Sequence, residues 1–517
     1  MGNLRLSGQN NITSPNGNSL AVFIEGTTGV IKLKDVMGNI QPLSNYVGGG
    51  ASSPFEYNAN ASGIQPILGT NVASGTNATI GGGYLNTASN CYSTIGGGLF
   101  NTASCDASFI GGGTENTASG RQSTVGGGRQ NIASGNRATI GGGRNNTASY
   151  YFSTIGGGYQ NTASAYYSTV GGGLNNTASG GNSAIGGGYC NTASGNLATV
   201  GGGKYNNASG SCSTIGGGYS NTASGNCSTV GGGYTNTASD IYSTVGGGRG
   251  NLACNSYSTV GGGSGNVASC NYSTVSGGIS NVSSGYKSTV GGGQSNTASN
   301  SYTTVSGGYT NTASGSRSTI GGGCLNTASN ANSFVGGGAY NFASGNCSTI
   351  GGGAYNTASN ANSFVGVGYR NQASGFYSTI VGGYCNIASS NCSAVVNGYT
   401  NTASGVHSFI GTGYCNLASN SFSFIGTGYC NIASGVYSFV GTGCYNTASG
   451  NFNSILGGQY NNTNTCAYAM IVGTNISANR VCTTFVNNLS IMDIPTAPAG
   501  LPSGAVWRNG TVLEIIP

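Results

Sequence analysis

Charge is what this sequence most lacks: Asp, Glu, Lys and Arg make up 4% of its 517 residues, and proline occurs only 8 times. A formal net charge of +6 spread over that length excludes the dense basic stripe that neutralising a phosphate backbone requires, so no nucleic-acid partner is expected. No apolar run of about 18 residues is present to cross a bilayer as a helix, and no membrane insertion is expected. Residues 1–9 lack the apolar core of a secretory signal, and Leu6 stands where a myristoylation motif has Ser or Thr. The expectation is a chain made in a cytosol without an export address. Catalysis has little to work with: His407 is the single histidine, and the 8 acidic residues form no recurring carboxylate pair. No enzyme, cofactor or metal is expected.

What is abundant is glycine, 100 residues of it, in blocks rather than at every third position, which excludes collagen. A Gly/Ser/Asn-rich chain without period would read as disordered, but this one repeats strictly. The stretch "STIGGGYQNTASAYYSTVGGG" (153–173) shows the cadence of fifteen residues. Numbered from the first glycine, repeats start at 81, 96, 111 and onward to 441 without insertion or deletion, with degenerate starts at Pro66 and Leu456. Position 6 is Asn in every repeat from Asn71 to Asn461, and position 15 is Ile or Val from Ile80 to Ile455. Position 8 is Ala from Ala73 to Ala448 with the single exception of Ser283. Three adjacent glycines per repeat would cost a helix roughly 3 kcal/mol each time relative to alanine.

A stacked coil explains why no residue is ever gained or lost, because one extra would throw all later rungs out of line. The fold expected is all-β: a parallel β-roll or β-solenoid of 15-residue rungs with two short strands per rung. The strands fall around positions 6–8 and 13–15, where inward and outward residues alternate, joined by corners at 1–5 and 10–12. Charge agrees with that assignment. Arg121, Arg129, Lys204, Arg249, Lys287, Asp106, Glu115 and Asp240, like every other charged residue between 81 and 455, occupy positions 4, 5, 10, 11 or 12. Glycines at positions 1–3 are expected to let backbones approach closely. One Ile/Val and one Ala per rung make a thin core, so self-association is expected. Position 14, usually Thr, becomes Phe at 109, 334, 364, 409, 424 and 439, which offers the opposite face for burial too.

The turn and strand "FASGNCSTIGG" (342–352) resembles the head repeats of YadA-like trimeric autotransporter adhesins, whose motif spaces Ala, Gly, Ser, Ile/Val and Gly in the same way. The resemblance covers about residues 66–473, with a period of fifteen rather than that family's usual fourteen. It implies a homotrimeric, left-handed parallel β-roll. The flanks differ from an autotransporter. "GNSLAVFIEGTTGVIKLKDVMGNIQPLSNYV" (17–47) and "IPTAPAGLPSGAVWRNGTVLEIIP" (494–517) resemble the flanking modules of bacteriophage tail fibres and other virion fibres. The first reads as strands around "EGTTG", the second as a hairpin turning at Asn509-Gly510. Three domains are therefore expected: an attachment module at 1–65, the solenoid at 66–473 and a small β module at 474–517.

The function expected is that of a virion fibre or adhesin, tail-fibre-like, giving reach and recognising a host surface, glycan or protein. Its partners would be two further copies of itself and other virion proteins, and its location the virion, outside the cell after lysis. The alternatives are a cell-surface or giant-virus fibre without a ligand, and an ice-binding solenoid. Candidate receptor contacts are the tyrosine rows Tyr369, Tyr384, Tyr399, Tyr414 and Tyr429 at position 4 and Tyr242, Tyr257 and Tyr272 at position 12. Cys212 with Cys227, and Cys415 with Cys430, fall one rung apart at the same corner, within reach of a disulfide; the alternative is that each is simply a small corner residue. "GGGKYN" (201–206) lacks the Ser/Thr of a phosphate loop and reads as structural glycine.

Overall fold

The computed structural model describes residues 70–488 throughout and, outside them, 21–24, 31–34, 40–42, 55–57, 64–66, 495–496, 499–500, 502–503, 505–509 and 512–515. Among these residues the regular structure is entirely strand, with no helix. The chain divides into two units, Met1–Tyr257 and Ser258–Pro517, each built from the same rung. Most of the expected attachment module at 1–65 lies outside the described residues.

Each rung carries two strands of two residues, at positions 7–8 and 14–15, as the alternation predicts. In the first unit they recur from Val72–Ala73 to Leu252–Ala253 and from Thr79–Ile80 to Thr244–Val245. In the second they recur from Val267–Ala268 to Thr447–Ala448 and from Thr259–Val260 to Ser454–Ile455. Partners are parallel and fifteen residues apart, as in Thr102↔Thr117 and Phe109↔Thr124. At about 4.8 Å per rung, each unit's ladders climb about 60 Å. The inward residue of each pair, Ala at 8 and Ile or Val at 15, is fully buried, while positions 7 and 14 face out. The charged corner residues are all exposed or half-buried.

Positions 1–5, expected to be a plain corner, contain a third ladder. Position 4 forms a single-residue parallel bridge with its equivalents, Tyr84↔Leu99↔Thr114 and onward. The sharp bends come from left-handed residues that the composition conceals. Positions 5 and 12 hold φ between 51° and 60° in non-glycine residues as varied as Leu85, Tyr92, Glu115, Arg137, Cys190 and Thr235. Each costs on the order of 1 kcal/mol in an L-residue. The bend turns the amide backwards: Phe100 N–H donates to Tyr84 C=O of the preceding rung (3.0 Å), whereas Thr94 N–H in the strand donates forward to Ser108 C=O (2.9 Å).

The three glycines are not equivalent. Position 3 is glycine with positive φ from Gly83 to Gly458. A Cβ on Gly218 would overlap the Gly233 carbonyl oxygen and sit 2.7 Å from Asn221 Nδ2. Position 1 also abuts the next rung's carbonyl, yet Ser276, Ser306, Val381 and Val396 occupy it, so that approach adjusts. At position 2 the expectation of close approach fails. A Cβ on Gly217 would meet only the Gly202 carbonyl at 3.9 Å, and Val367, Thr412, Thr427 and Thr442 stand there naturally.

Asparagine at position 6 joins the rungs through its side chain. Asn206 is fully buried. Its Nδ2 donates to the carbonyls of Gly202 (2.9 Å) and Gly218 (3.0 Å), and its Oδ1 accepts the Asn221 backbone N–H at 3.0 Å. The same set recurs at Asn311, whose Oδ1 accepts from Asn326. An amide carries both the donors and the acceptor this place needs, which explains the constancy of position 6. Serine at 13 is buried beside it. Where position 10 is not glycine, its hydroxyl donates to that residue's carbonyl, as Ser93 does to Asn90 and Ser243 to Asp240 (both 2.6 Å). In the rungs with Gly120, Gly180, Gly210, Gly225, Gly315, Gly345, Gly405 and Gly435, the hydroxyls of Ser123, Ser183, Ser213, Ser228, Ser318, Ser348, Ser408 and Ser438 find no partner, whereas Ser288 and Ser378 donate to Gly285 and Gly375. Alanine replaces serine at Ala78, Ala138 and Ala198, again beside glycine.

The ladder runs past residue 473, where the sequence reading ends the solenoid. Met470–Val472 pairs in parallel with Ser454–Ile455 at an offset of sixteen, and Thr484–Val486 with Met470–Val472 at fourteen. At the start of the chain, Ala21–Ile24 and Ile31–Lys34 pair antiparallel on either side of "EGTTG". At the other end, Val506–Asn509 and Val512–Ile515 form the expected hairpin, with Asn509 paired to Val512 inside the ladder. The connection is thus one residue later than Asn509-Gly510, and Gly510 lies outside the described residues.

Candidate recognition surface

Because every rung repeats the same backbone, any residue type recurring at one outward position becomes a column with a spacing of about 4.8 Å. The expected tyrosine row at position 4 is such a column. Tyr369, Tyr384, Tyr399, Tyr414 and Tyr429 stack with centroids 5.0, 4.6, 5.0 and 5.0 Å apart and planes within 15° of parallel. The guanidinium of Arg370 lies 5.2 Å from the centroid of Tyr369. Each inner ring therefore has both faces covered by its neighbours and turns its hydroxyl edge outward. At the far end Tyr429 meets Tyr445 edge-on at 5.3 Å, and the hydrogen bond between them pushes the Tyr429 pKa up to about 12. Burial by the stack, and then the neighbouring Cys385 thiol, raises that of Tyr384.

The row expected at position 12 has members in both units. In the first unit Tyr242 and Tyr257 stack at 5.0 Å. In the second, Tyr272 meets Tyr286 edge-on at 5.9 Å, and the Lys287 ammonium lies 5.7, 5.2 and 5.6 Å from the rings of Tyr272, Tyr286 and Tyr302. A longer position-12 column escapes a search for tyrosine alone: His407, Phe422, Tyr437, Phe452 and Tyr468 stack at 4.9, 4.6, 5.1 and 4.9 Å. Beside it at position 14, Phe409, Phe424 and Phe439 stack at 5.0 and 5.1 Å. The signal was the fifteen-residue spacing of any ring from His407 to Phe452, not of one residue type, with Tyr468 sixteen residues on. His407, exposed at its corner, is a member of this column.

Both cysteine pairs fall in register on left-handed corners, Cys212 and Cys227 at position 12, Cys415 and Cys430 at position 5, and all four are free thiols. Burial, then a hydrogen bond with the Cys415 thiol, pushes the Cys430 thiol up from its ordinary value, so these two side chains meet. In "GGGKYN" the carbonyls of Gly202 and Gly203 accept from the Nδ2 groups of Asn206 and Asn191, and Lys204 sits 5.0 Å from the rings of Tyr189 and Tyr205. That loop is occupied by its own fold. No protein-family model matches the chain, and no curated protein matches it.

Proposed function

We propose that this protein is the subunit of a homotrimeric fibre or adhesin, of the kind carried by a virion tail, that gives reach and binds a cell-surface glycan through repeated weak contacts. The observation that carries the reading is the rung itself. It projects one side chain per rung at each outward position, so a contact too weak alone recurs at fixed spacing and gains from multivalency. Three copies would cover the outward Phe and Thr of position 14 and supply the burial that a core of one Ile/Val and one Ala per rung leaves wanting. A terminal module would join the fibre to other virion proteins. No catalytic role is proposed.

The position-4 tyrosines are the proposed receptor contacts, through hydroxyl edges that donate and accept hydrogen bonds rather than through ring faces. Replacing Tyr384, Tyr399 and Tyr414 together by phenylalanine keeps the stack and removes the edge. Fluorescently labelled full-length protein should attach to cells of a susceptible host, and the threefold variant should lose most of that attachment while melting at the same temperature. Undiminished attachment would remove these tyrosines from the reading; attachment of neither protein to any cell type tried would count against the adhesin. A second reading, ice binding, rests on the in-register threonines of positions 7 and 14. Each strand presents a single outward residue, so those threonines run in single file. Thermal hysteresis separates the two readings.

A further inference from the structure

Between 81 and 455 like charges stand at the same position of consecutive rungs once, at Arg129 and Arg144, both at position 4 and paired directly in the Thr114↔Arg129↔Arg144↔Tyr159 bridge series. Like charges opposed at one ladder spacing repel. The contrast lies two rungs away, where Asp106 and Arg121 stand in register at position 11 with opposite sign and bond at 3.2 Å.

Compensation at the arginine pair is partial. Arg129 Nε lies 3.7 Å from Glu115 Oε2, a loose pair with both side chains well exposed. Arg144 has no carboxylate partner among the described residues; its guanidinium lies 5.4 Å from the centroid of the Tyr159 ring. An open groove of about 520 Å³ is lined by positions 5 and 7 of these two rungs and of the rung before them: Glu115, Thr117, Gln130, Ile132, Asn145 and Thr147, of which Gln130 and Asn145 directly follow the two arginines in the chain. The lining offers hydroxyls and amides that both donate and accept, one apolar patch at Ile132, and a single carboxylate at the Glu115 end.

We propose that this groove binds an acidic oligosaccharide, its carboxylate or sulfate groups on Arg129 and Arg144 and its neutral hydroxyls on Thr117, Gln130, Asn145 and Thr147. Planar guanidinium forks one rung apart match acidic groups spaced along a sugar chain, and the polar lining suits hydroxyls better than apolar ligands. Arg144 makes the main contact, because Arg129 is shared with Glu115. The site deepens the surface-recognition reading, on which its biological role rests.

The test is calorimetric titration of the full-length protein with oligogalacturonate, a sulfated dextran fragment and a neutral malto-oligosaccharide of equal length, in low and high salt. One or both acidic probes should bind, more weakly at high salt, and whichever binds identifies the anion. Arg144→Gln should weaken binding about tenfold, Arg129→Gln less, and Glu115→Gln should tighten it several-fold. Glutamine occupies position 4 naturally at Gln294 and Gln459, so these arginine variants fit the fold. Arg317→Gln, at a position-12 corner of the second unit, should change nothing. Binding of neither acidic probe, equal binding of the neutral one, or equal losses in Arg317→Gln and Arg144→Gln would overturn the site. Saccharide binding without attachment to cells would defeat the adhesin and leave the groove standing. Attachment without saccharide binding would do the reverse.

Discussion

Replacing Asn206 by alanine removes one step of the asparagine ladder and nothing else of comparable size. Its Nδ2 serves the Gly202 and Gly218 carbonyls and reaches Asn191 Oδ1 at 3.1 Å; its Oδ1 receives the Asn221 N–H at 3.0 Å and the Asn221 Nδ2 at 3.2 Å. The Asn221 amide is left buried without an acceptor, a loss of about 1–3 kcal/mol. The two glycine carbonyls are partly accessible and can take water, at about 0.5–1 kcal/mol each. The expected total is about 3 kcal/mol, confined to the neighbouring rungs because repeat arrays open locally. Native-state hydrogen exchange at the Asn221 amide reads that directly: protection should fall by about two orders of magnitude. Asn207→Ala, at the exposed neighbouring position, should change stability by no more than about 0.5 kcal/mol. Protection within threefold of wild type at Asn221, or equal effects of the two substitutions, would refute the account of position 6.

Gly218→Ala should destabilise its unit by about 3 kcal/mol or more in a denaturant titration, since the new Cβ meets backbone in a conformation alanine disfavours. Gly217→Ala, with free space around it, should be near neutral. Ser243→Ala, which loses the bond to Asp240, should cost about 1 kcal/mol, whereas Ser213→Ala should cost nothing by the same measurement. Under mild oxidant, peptide mapping should recover Cys415 linked to Cys430. Under reducing conditions at pH 8.5, Cys430 should alkylate more slowly than exposed Cys347, because its raised pKa keeps it as thiol. In an alkaline titration followed by tyrosinate absorbance, Tyr189 and Tyr429 should resist ionisation to about pH 12, held by hydrogen bonds with Tyr205 and Tyr445. A pKa raised in the folded state means those bonds contribute fully below the ordinary tyrosine value of 10.0 and are lost as pH climbs toward 12.

The fifteen-residue period, the two strands and the wet corners were legible because burial and charge act at fixed positions: Ala at 8 and Ile/Val at 15 cannot be charged, and Arg121 or Lys204 cannot be buried. The left-handed corners were not, because tyrosine, cysteine and arginine at positions 5 and 12 carry no local preference for that conformation. The stack overrides their propensity by turning each amide toward the preceding rung. For the same reason the bridge at position 4 was hidden among residues as different as Leu99, Lys204 and Ala339. The tyrosine row was visible, but its covered faces were not, since the ring orientation depends on the rung spacing. Arg129 and Arg144 were visible as corner charges, yet the groove beside them needs positions 5 and 7 in three dimensions.

The whole account turns on a rung too thin to persist as a single copy. The molar mass of the purified full-length protein, measured by light scattering alongside a far-ultraviolet β spectrum, tests that most directly. The account predicts a folded particle of three times 50.8 kDa that loses its β signal when it dissociates. A stably folded species of 50.8 kDa would contradict it.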